Sequence, residues 1–227
     1  MKHTLEIDSV EVSFAERQIL QGAYLKMETG CVTALLGSNG SGKSCLMRVL
    51  CNTLCPGFKS MRIDGVWTAQ FDCHDVRYVP QHKFLPSSIR VRDVFRDFDL
   101  DAQQFVDWFP DLRYVLGSRI ETLSGGERRV VECYAILCSD TRFVMLDEPF
   151  SQVMPLHIDV LKRLIVREKE RKGILLTDHL YAHVQSIADT LYLLESGHTR
   201  LVYSTEDLVR YGYISPSKNK INVQKGH

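Results

Sequence analysis

The 227-residue chain carries 28 Lys+Arg against 28 Asp+Glu and is 44% hydrophobic, so it has no global basic field and nucleic acid is excluded as the expected partner. Its length suits one sizeable core. No apolar run approaches the roughly 18 residues of a membrane span, and the first residues lack the apolar stretch of a signal peptide, so a cytoplasmic chain is expected.

In chain order, Leu5, Ile7, Val10, Val12 and Phe14 alternate loosely, and residues 23–27 alternate again before Thr29-Gly30. Antiparallel strands are therefore expected to lead into a buried strand at residues 31–36. Gly37-Ser38-Asn39-Gly40-Ser41-Gly42-Lys43-Ser44 follows, matching G-x-x-x-x-G-K-[ST], and the apolar residues from Cys45 to Leu50 read as a helix. Strand, glycine loop and helix aim backbone N–H groups and a positive helix end at a polyphosphate. In that arrangement Lys43 reaches the β- and γ-phosphates and the Ser44 hydroxyl binds Mg²⁺. Short strands at residues 61–63 and 76–79 extend a β-rich lobe.

From residue 89 the period changes. Val91, Val94, Phe95 and Phe98 fit one helical face, and Asp101 with Gln104 resembles a capping box, which predicts a small helical lobe at about 84–122. After Ser124, Val130, Val131, Tyr134, Leu137 and Cys138 recur at helical spacing, with Arg128, Arg129 and Glu132 expected on the opposite face. Strand 143–146 ends in Asp147-Glu148-Pro149. A helix through Leu156–Ile165, a strand at 174–177, a helix at 180–188, a strand at 191–194 and a helix at 206–211 follow. This alternation argues for an α/β fold with a mainly parallel sheet covered by helices, beside an antiparallel β lobe and a small helical lobe, and with the Gly37–Ser44 motif it resembles a P-loop NTPase of RecA-like fold. Residues 1–214 read as one domain and 215–227 as a flexible tail. The seven cysteines, odd in number, point to a reducing compartment, and Cys51 and Cys55 are expected as buried, inert thiols rather than metal ligands.

Beside a P-loop, the Asp147 carboxylate at a strand end can hold Mg²⁺ through its water shell, and Glu148, one residue on, can polarise the attacking water. In Leu123-Ser124-Gly125-Gly126-Glu127, Ser124 and Glu127 make a capping box, while the two glycines let the helix start approach another group closely. A helix start of this kind is also an anion site, and the simplest use of two such sites is a second copy of the chain.

With these motifs the chain resembles the ATP-binding cassette (ABC) ATPases from about residue 3 to 212, Leu123–Glu127 matching their signature motif. The resemblance implies that Phe14 stacks on adenine. It implies that Gln81, in Tyr78-Val79-Pro80-Gln81, touches Mg²⁺ or the water and relays to a transport partner, and that His179, in Thr177-Asp178-His179, contacts the γ-phosphate. Gly37 to Ser44 and Cys45 would hold one ATP, and Ser124 and Gly126 would bind the γ-phosphate held by the opposing subunit. Catalysis would then rest on Glu148, His179, Lys43 and Gln81, and Mg²⁺ on Ser44, Gln81 and Asp147. Gly-Glu-Arg-Arg at 126–129, Glu-Pro-Phe at 148–150 and Thr-Asp-His at 177–179 are similar to the lipopolysaccharide-export and branched-chain amino-acid transporter ATPases.

The implied function is ATP hydrolysis driving an integral membrane permease subunit through a head-to-tail dimer with a second ABC ATPase subunit, homo- or heteromeric. The chain would be cytoplasmic and peripheral to the inner or plasma membrane. The alternatives are a soluble non-transport adaptor and a regulatory ATP binder. Met154 motivates the latter, because it stands where the family has the aspartate that links the two sites.

Overall fold

The computed structural model describes residues 2–215. Its six-stranded sheet has the order β10-β9-β3-β8-β7-β6, comprising β3 (Val32–Leu36), β6 (Val76–Val79), β7 (Phe143–Asp147), β8 (Gly173–Thr177), β9 (Thr190–Glu195) and β10 (His198–Val202). β6, β7, β8, β3 and β9 run parallel, and β10 pairs antiparallel to β9. Every residue of β3, β7 and β8 is buried, which is why these strands read as continuous apolar runs rather than alternating ones.

A four-stranded antiparallel sheet, in the order β2-β1-β4-β5, is built from β1 (Thr4–Phe14), β2 (Arg17–Glu28), β4 (Phe58–Ile63) and β5 (Val66–Trp67). Two cores flank the parallel sheet. Leu35, Met145 and Leu175 cluster with the antiparallel sheet and α1 (Lys43–Leu50). Ala34, Leu146 and Leu176 cluster with α4 (Gly125–Cys138) and α5 (Pro155–Glu168), which are numbered after α2 (Val91–Asp97) and α3 (Ala102–Trp108). Alternate residues of one strand thus serve opposite cores.

The expected helical lobe consists of α2, α3 and a 3₁₀ helix at Pro110–Gly117. Phe95, Phe105 and Tyr134 join it to α4, with ring centroids 5.0 to 5.4 Å apart, each ring contributing about 1.5–3 kcal/mol on burial. Two short helices, α6 (Tyr181–Gln185) before β9 and α7 (Thr205–Arg210) after β10, are the last helices of the described residues.

Several expectations are corrected. Arg129 and Glu132 are buried, 6% and 2% exposed, because their charges are matched within the fold. Asp101 caps α3 by accepting from Gln103 N, so no reciprocal box with Gln104 forms. The helix expected over 180–188 is helical only at Tyr181–Gln185. The β9–β10 hairpin and the two-residue β5 were not expected. Cys55 is exposed rather than buried, since it lies in the loop between α1 and β4, and Cys51 is half-buried at the end of α1. The expected flexible tail falls, apart from Ser215, outside the described residues.

Candidate functional site

The glycine loop leaves the C-terminal end of β3 between β8 and β9, where an open parallel sheet forms its ligand crevice. Gly37 has φ 155°, and a Cβ there would lie 2.6 Å from Ser41 Oγ and 2.7 Å from the Leu194 carbonyl, so the loop closes only with glycine. Gly42 caps α1 at φ 108°, where a Cβ would lie 2.9 Å from Leu20. The Lys43 ammonium folds back on the loop, donating to Gly37 O at 2.7 Å and Ser38 O at 3.0 Å. Burial lowers its pKa, opposed by the charges of Asp147 and Glu148. A lysine taken out of water onto carbonyls gains strongly from an anion.

Ser41 Oγ is buried without a hydrogen-bond partner in this loop. Such an orphaned hydroxyl beside the unsatisfied N–H groups of a helix start fits a phosphate cradle. Phe14, Ile19, Asn39, Gly40, Ser44 and Cys45 line the same ≈ 390 Å³ cleft, with Phe14 48% exposed at its edge as a stacking platform requires.

Gln81, Glu148 and His179 come from three strand ends and meet in this cleft. Glu148 Oε1 receives Gln81 Nε2 at 2.9 Å and lies 2.8 Å from His179 Nε2. Glu148 stands in the left-handed region, φ 56°, with its N–H donating to Thr177 O at 2.9 Å. Asp178 supports the neighbouring turn by accepting from Phe150 N and Leu180 N, at 3.0 and 2.8 Å, while burial raises its pKa.

Asp147 is 1% exposed and does not line the cleft. Its Oδ1 accepts from Thr177 Oγ1 at 2.7 Å and its Oδ2 from Tyr78 OH at 2.9 Å. Burial and the Asp147 charge push the Tyr78 pKa upward, which keeps Tyr78 a donor. Among the described residues no cluster of three or more His, Cys, Asp or Glu side chains is placed to hold a metal alone. One hydroxyl and one amide in the cleft, with a carboxylate behind them, fit Mg²⁺ that takes its remaining ligands from phosphates and water.

Ser124 and Gly126 lie elsewhere, lining a separate ≈ 320 Å³ cavity. The capping box is complete: Ser124 Oγ accepts from Glu127 N at 3.3 Å, and Glu127 Oε2 accepts from Ser124 N at 2.7 Å. Tyr114 OH also donates to Glu127, whose pKa it holds below the usual carboxylate range. A Cβ on Gly126 would lie 2.5 Å from Gln152 O, so what the glycines approach within this chain is the loop after β7. Met154 at the end of that loop is 62% exposed.

Sequence reasoning missed Arg129. Its guanidinium donates to Pro80 O at 2.7 Å, to Asp147 O and to Glu148 O at 3.2 Å, and lies 3.5 Å from Glu132 Oε2. The only signal was a second arginine immediately after Arg128.

Residues 20–151 match the family described as ABC transporter. Over 213 residues the chain is 27% identical to the lipopolysaccharide export system ATP-binding protein LptB of Escherichia coli (strain K12), covering 86% of this chain and 88% of that protein. It is 28% identical over 217 residues to the Nod factor export ATP-binding protein I of Rhizobium meliloti (strain 1021), covering 87% of this chain and 64% of the relative. Among solved structures, an ATP-binding subunit of an ABC transporter superimposes with TM-score 0.77 at 22% identity, covering 92% of this chain and 93% of that one. A nucleotide-free ATP-binding cassette from an ABC transporter gives TM-score 0.77 at 18% identity, covering 98% and 100%. At these identities the two structures speak for the fold, an ATP-binding cassette.

Proposed function

The chain belongs to the ABC transporter family, whose ATP-binding cassettes hydrolyse ATP, and from that premise we propose that it is the ATPase subunit driving an integral membrane partner through head-to-tail dimerisation. Residues 1–214 form the ABC ATPase domain, with the helical lobe at about 84–122. The observation that carries this reading is the convergence of Gln81 Nε2 and His179 Nε2 on Glu148 Oε1 inside the cleft that also holds Lys43 and Ser44.

In the proposed cycle the adenine stacks on Phe14, and the residues Gly37 to Cys45 hold the triphosphate. Ser124 and Gly126 of a second subunit close over the γ-phosphate, because within one chain they line a different cavity. Ser44, Gln81 and Asp147 would hold Mg²⁺, which would supply positive charge to offset that of the phosphates. Glu148 orients the attacking water and takes its proton, His179 fixes the carboxylate and reaches the γ-phosphate, and Lys43 offsets the developing negative charge.

Among the described residues no helix is long and apolar enough to cross a membrane, so the membrane attachment proposed here runs through a partner. A ≈ 430 Å³ cavity between the Gln81 loop and α4, lined by Lys83 and Arg128, supports docking on that face. Glu148→Gln should lower phosphate release by at least about 100-fold while ATP still binds and a nucleotide-trapped dimer accumulates. Normal turnover by this variant would sink Glu148 as the base.

A second reading, a regulatory ATP binder with altered coupling between sites, is favoured by exposed Met154 alone. Met154→Asp addresses it: unchanged hydrolysis and cooperativity would remove its motive.

A further inference from the structure

We infer that Arg129 is the positioning residue that holds the catalytic Glu148 and the Gln81 loop in register with the start of α4. The inference rests on the reading of Glu148 as base. The Arg129 side chain is almost wholly withdrawn from water, and its three nitrogens serve carbonyls from two separate segments. Nη1 reaches Pro80 O, the residue before Gln81, while Nη2 and Nε reach Glu148 O at 3.2 and 3.3 Å, and Nη2 also reaches Asp147 O. One rigid planar group therefore fixes the backbone that carries the base and the backbone that carries its amide partner. A flexible ammonium has no such fork.

Three further observations point the same way. Glu148 adopts a left-handed conformation that costs a non-glycine residue free energy and persists only where its surroundings hold it. The carbonyl of that strained residue is the atom Arg129 grips with two nitrogens. Glu132, 2% exposed, balances the charge at 3.5 Å, yet its Oε1 has no hydrogen-bond partner. That oxygen lies 4.0 Å from Arg128 Nε, so Glu132 balances charge while the Arg129 donors go to the two backbone segments.

Arg129 also stands one turn past Ser124 on α4, whose first turn packs on Gln152. A displacement of that helix start, as when a second subunit engages Ser124 and Gly126, passes through the guanidinium to the carboxylate that handles water.

The test compares wild type, Glu148→Gln, the double variant Arg129→Met/Glu132→Met, and Arg129→Lys. Removing both charges at similar volume avoids stranding a buried carboxylate, so the double variant is expected to fold. Phosphate release gives kcat and KM, equilibrium binding of a non-hydrolysable ATP analogue gives affinity, and circular dichroism with melting reports the fold. The expected result is a folded double variant with analogue affinity and KM within about twofold of wild type and kcat at least about tenfold lower, with Arg129→Lys intermediate. A folded double variant with wild-type kcat overturns the inference, as does a loss of analogue affinity that accounts for the whole loss in kcat/KM. If the double variant does not fold, Arg129→Lys decides: kcat at the wild-type level overturns the inference, and a selective fall in kcat supports it. Turnover that survives Glu148→Gln would instead remove the base assignment beneath it.

Discussion

In the proposed mechanism two helix starts carry the chemistry, and they are kept ready in opposite ways. At the start of α1, Lys43 is withdrawn from water, rests on two carbonyls, and has its pKa lowered by burial, while Ser41 Oγ has no partner. At the start of α4, every cap contact is already made: Ser124 and Glu127 hold each other, and Tyr114 holds Glu127. The first half is underpaid in polar contacts until an anion arrives. The second is complete as local structure and has the Ser124 hydroxyl hydrogen to offer outward. On that proposal the difference teaches where to look for binding free energy: at α1, with α4 contributing geometry.

The sharpest way to break this contrast is Lys43→Met, which should lower turnover by at least about 100-fold and abolish measurable nucleotide binding by the isolated chain. Retained nucleotide affinity would show that α1 does not depend on its lysine. Next in size, Gly126→Ala forces a methyl to within 2.5 Å of Gln152 O and should cost about 1–3 kcal/mol in denaturant titration. Hydrolysis should fall with it, while a single chain still binds ATP at the P-loop; loss of that binding would mean the two halves are not separable.

The smallest effect tests the opposite end of α4. There Lys172, 1% exposed, donates to the Ser139 carbonyl that follows the helix, and burial pulls its pKa down to about 8. Because the folded pKa lies below the ordinary lysine value of 10.5, the unfolded chain binds more protons between those pH values. Melting temperature should therefore carry an upward contribution from pH 8 to 10.5, and Lys172→Met should remove that contribution without touching nucleotide affinity.

Much of the cleft was legible because its parts are contiguous and chemically unambiguous. A glycine loop between a buried strand and a helix permits few other readings, and an apolar strand ending in Asp147-Glu148 places two carboxylates at a sheet edge. The parallel sheet was legible for the same reason, since β3, β7 and β8 are apolar throughout. Arg129 was not legible. A pattern of apolar positions tells where a helix is greasy, and an arginine that satisfies its donors on backbone carbonyls leaves no mark in that pattern. The role of Gly126 was half legible: the need for close approach could be read from Gly-Gly, but Gln152 as the group approached depends on a loop that returns to α4 only after β7. The β9–β10 hairpin escaped because His198, Thr199 and Arg200 leave β10 without the apolar run that marks β9.

The left-handed backbone at Glu148 has one consequence for how the site is dissected. Glycine would adopt φ 56° without cost, so the residue there trades heat resistance for a carboxylate, and any substitution that also changes backbone freedom mixes the two. Glutamine retains the conformational cost and alters only the acid. Activity lost on that exchange should be chemistry, whereas glycine there would relieve the backbone and also remove the contacts to Gln81 and His179, so a higher melting temperature with glycine would set a lower bound on the thermal robustness forgone to hold a carboxylate at this point.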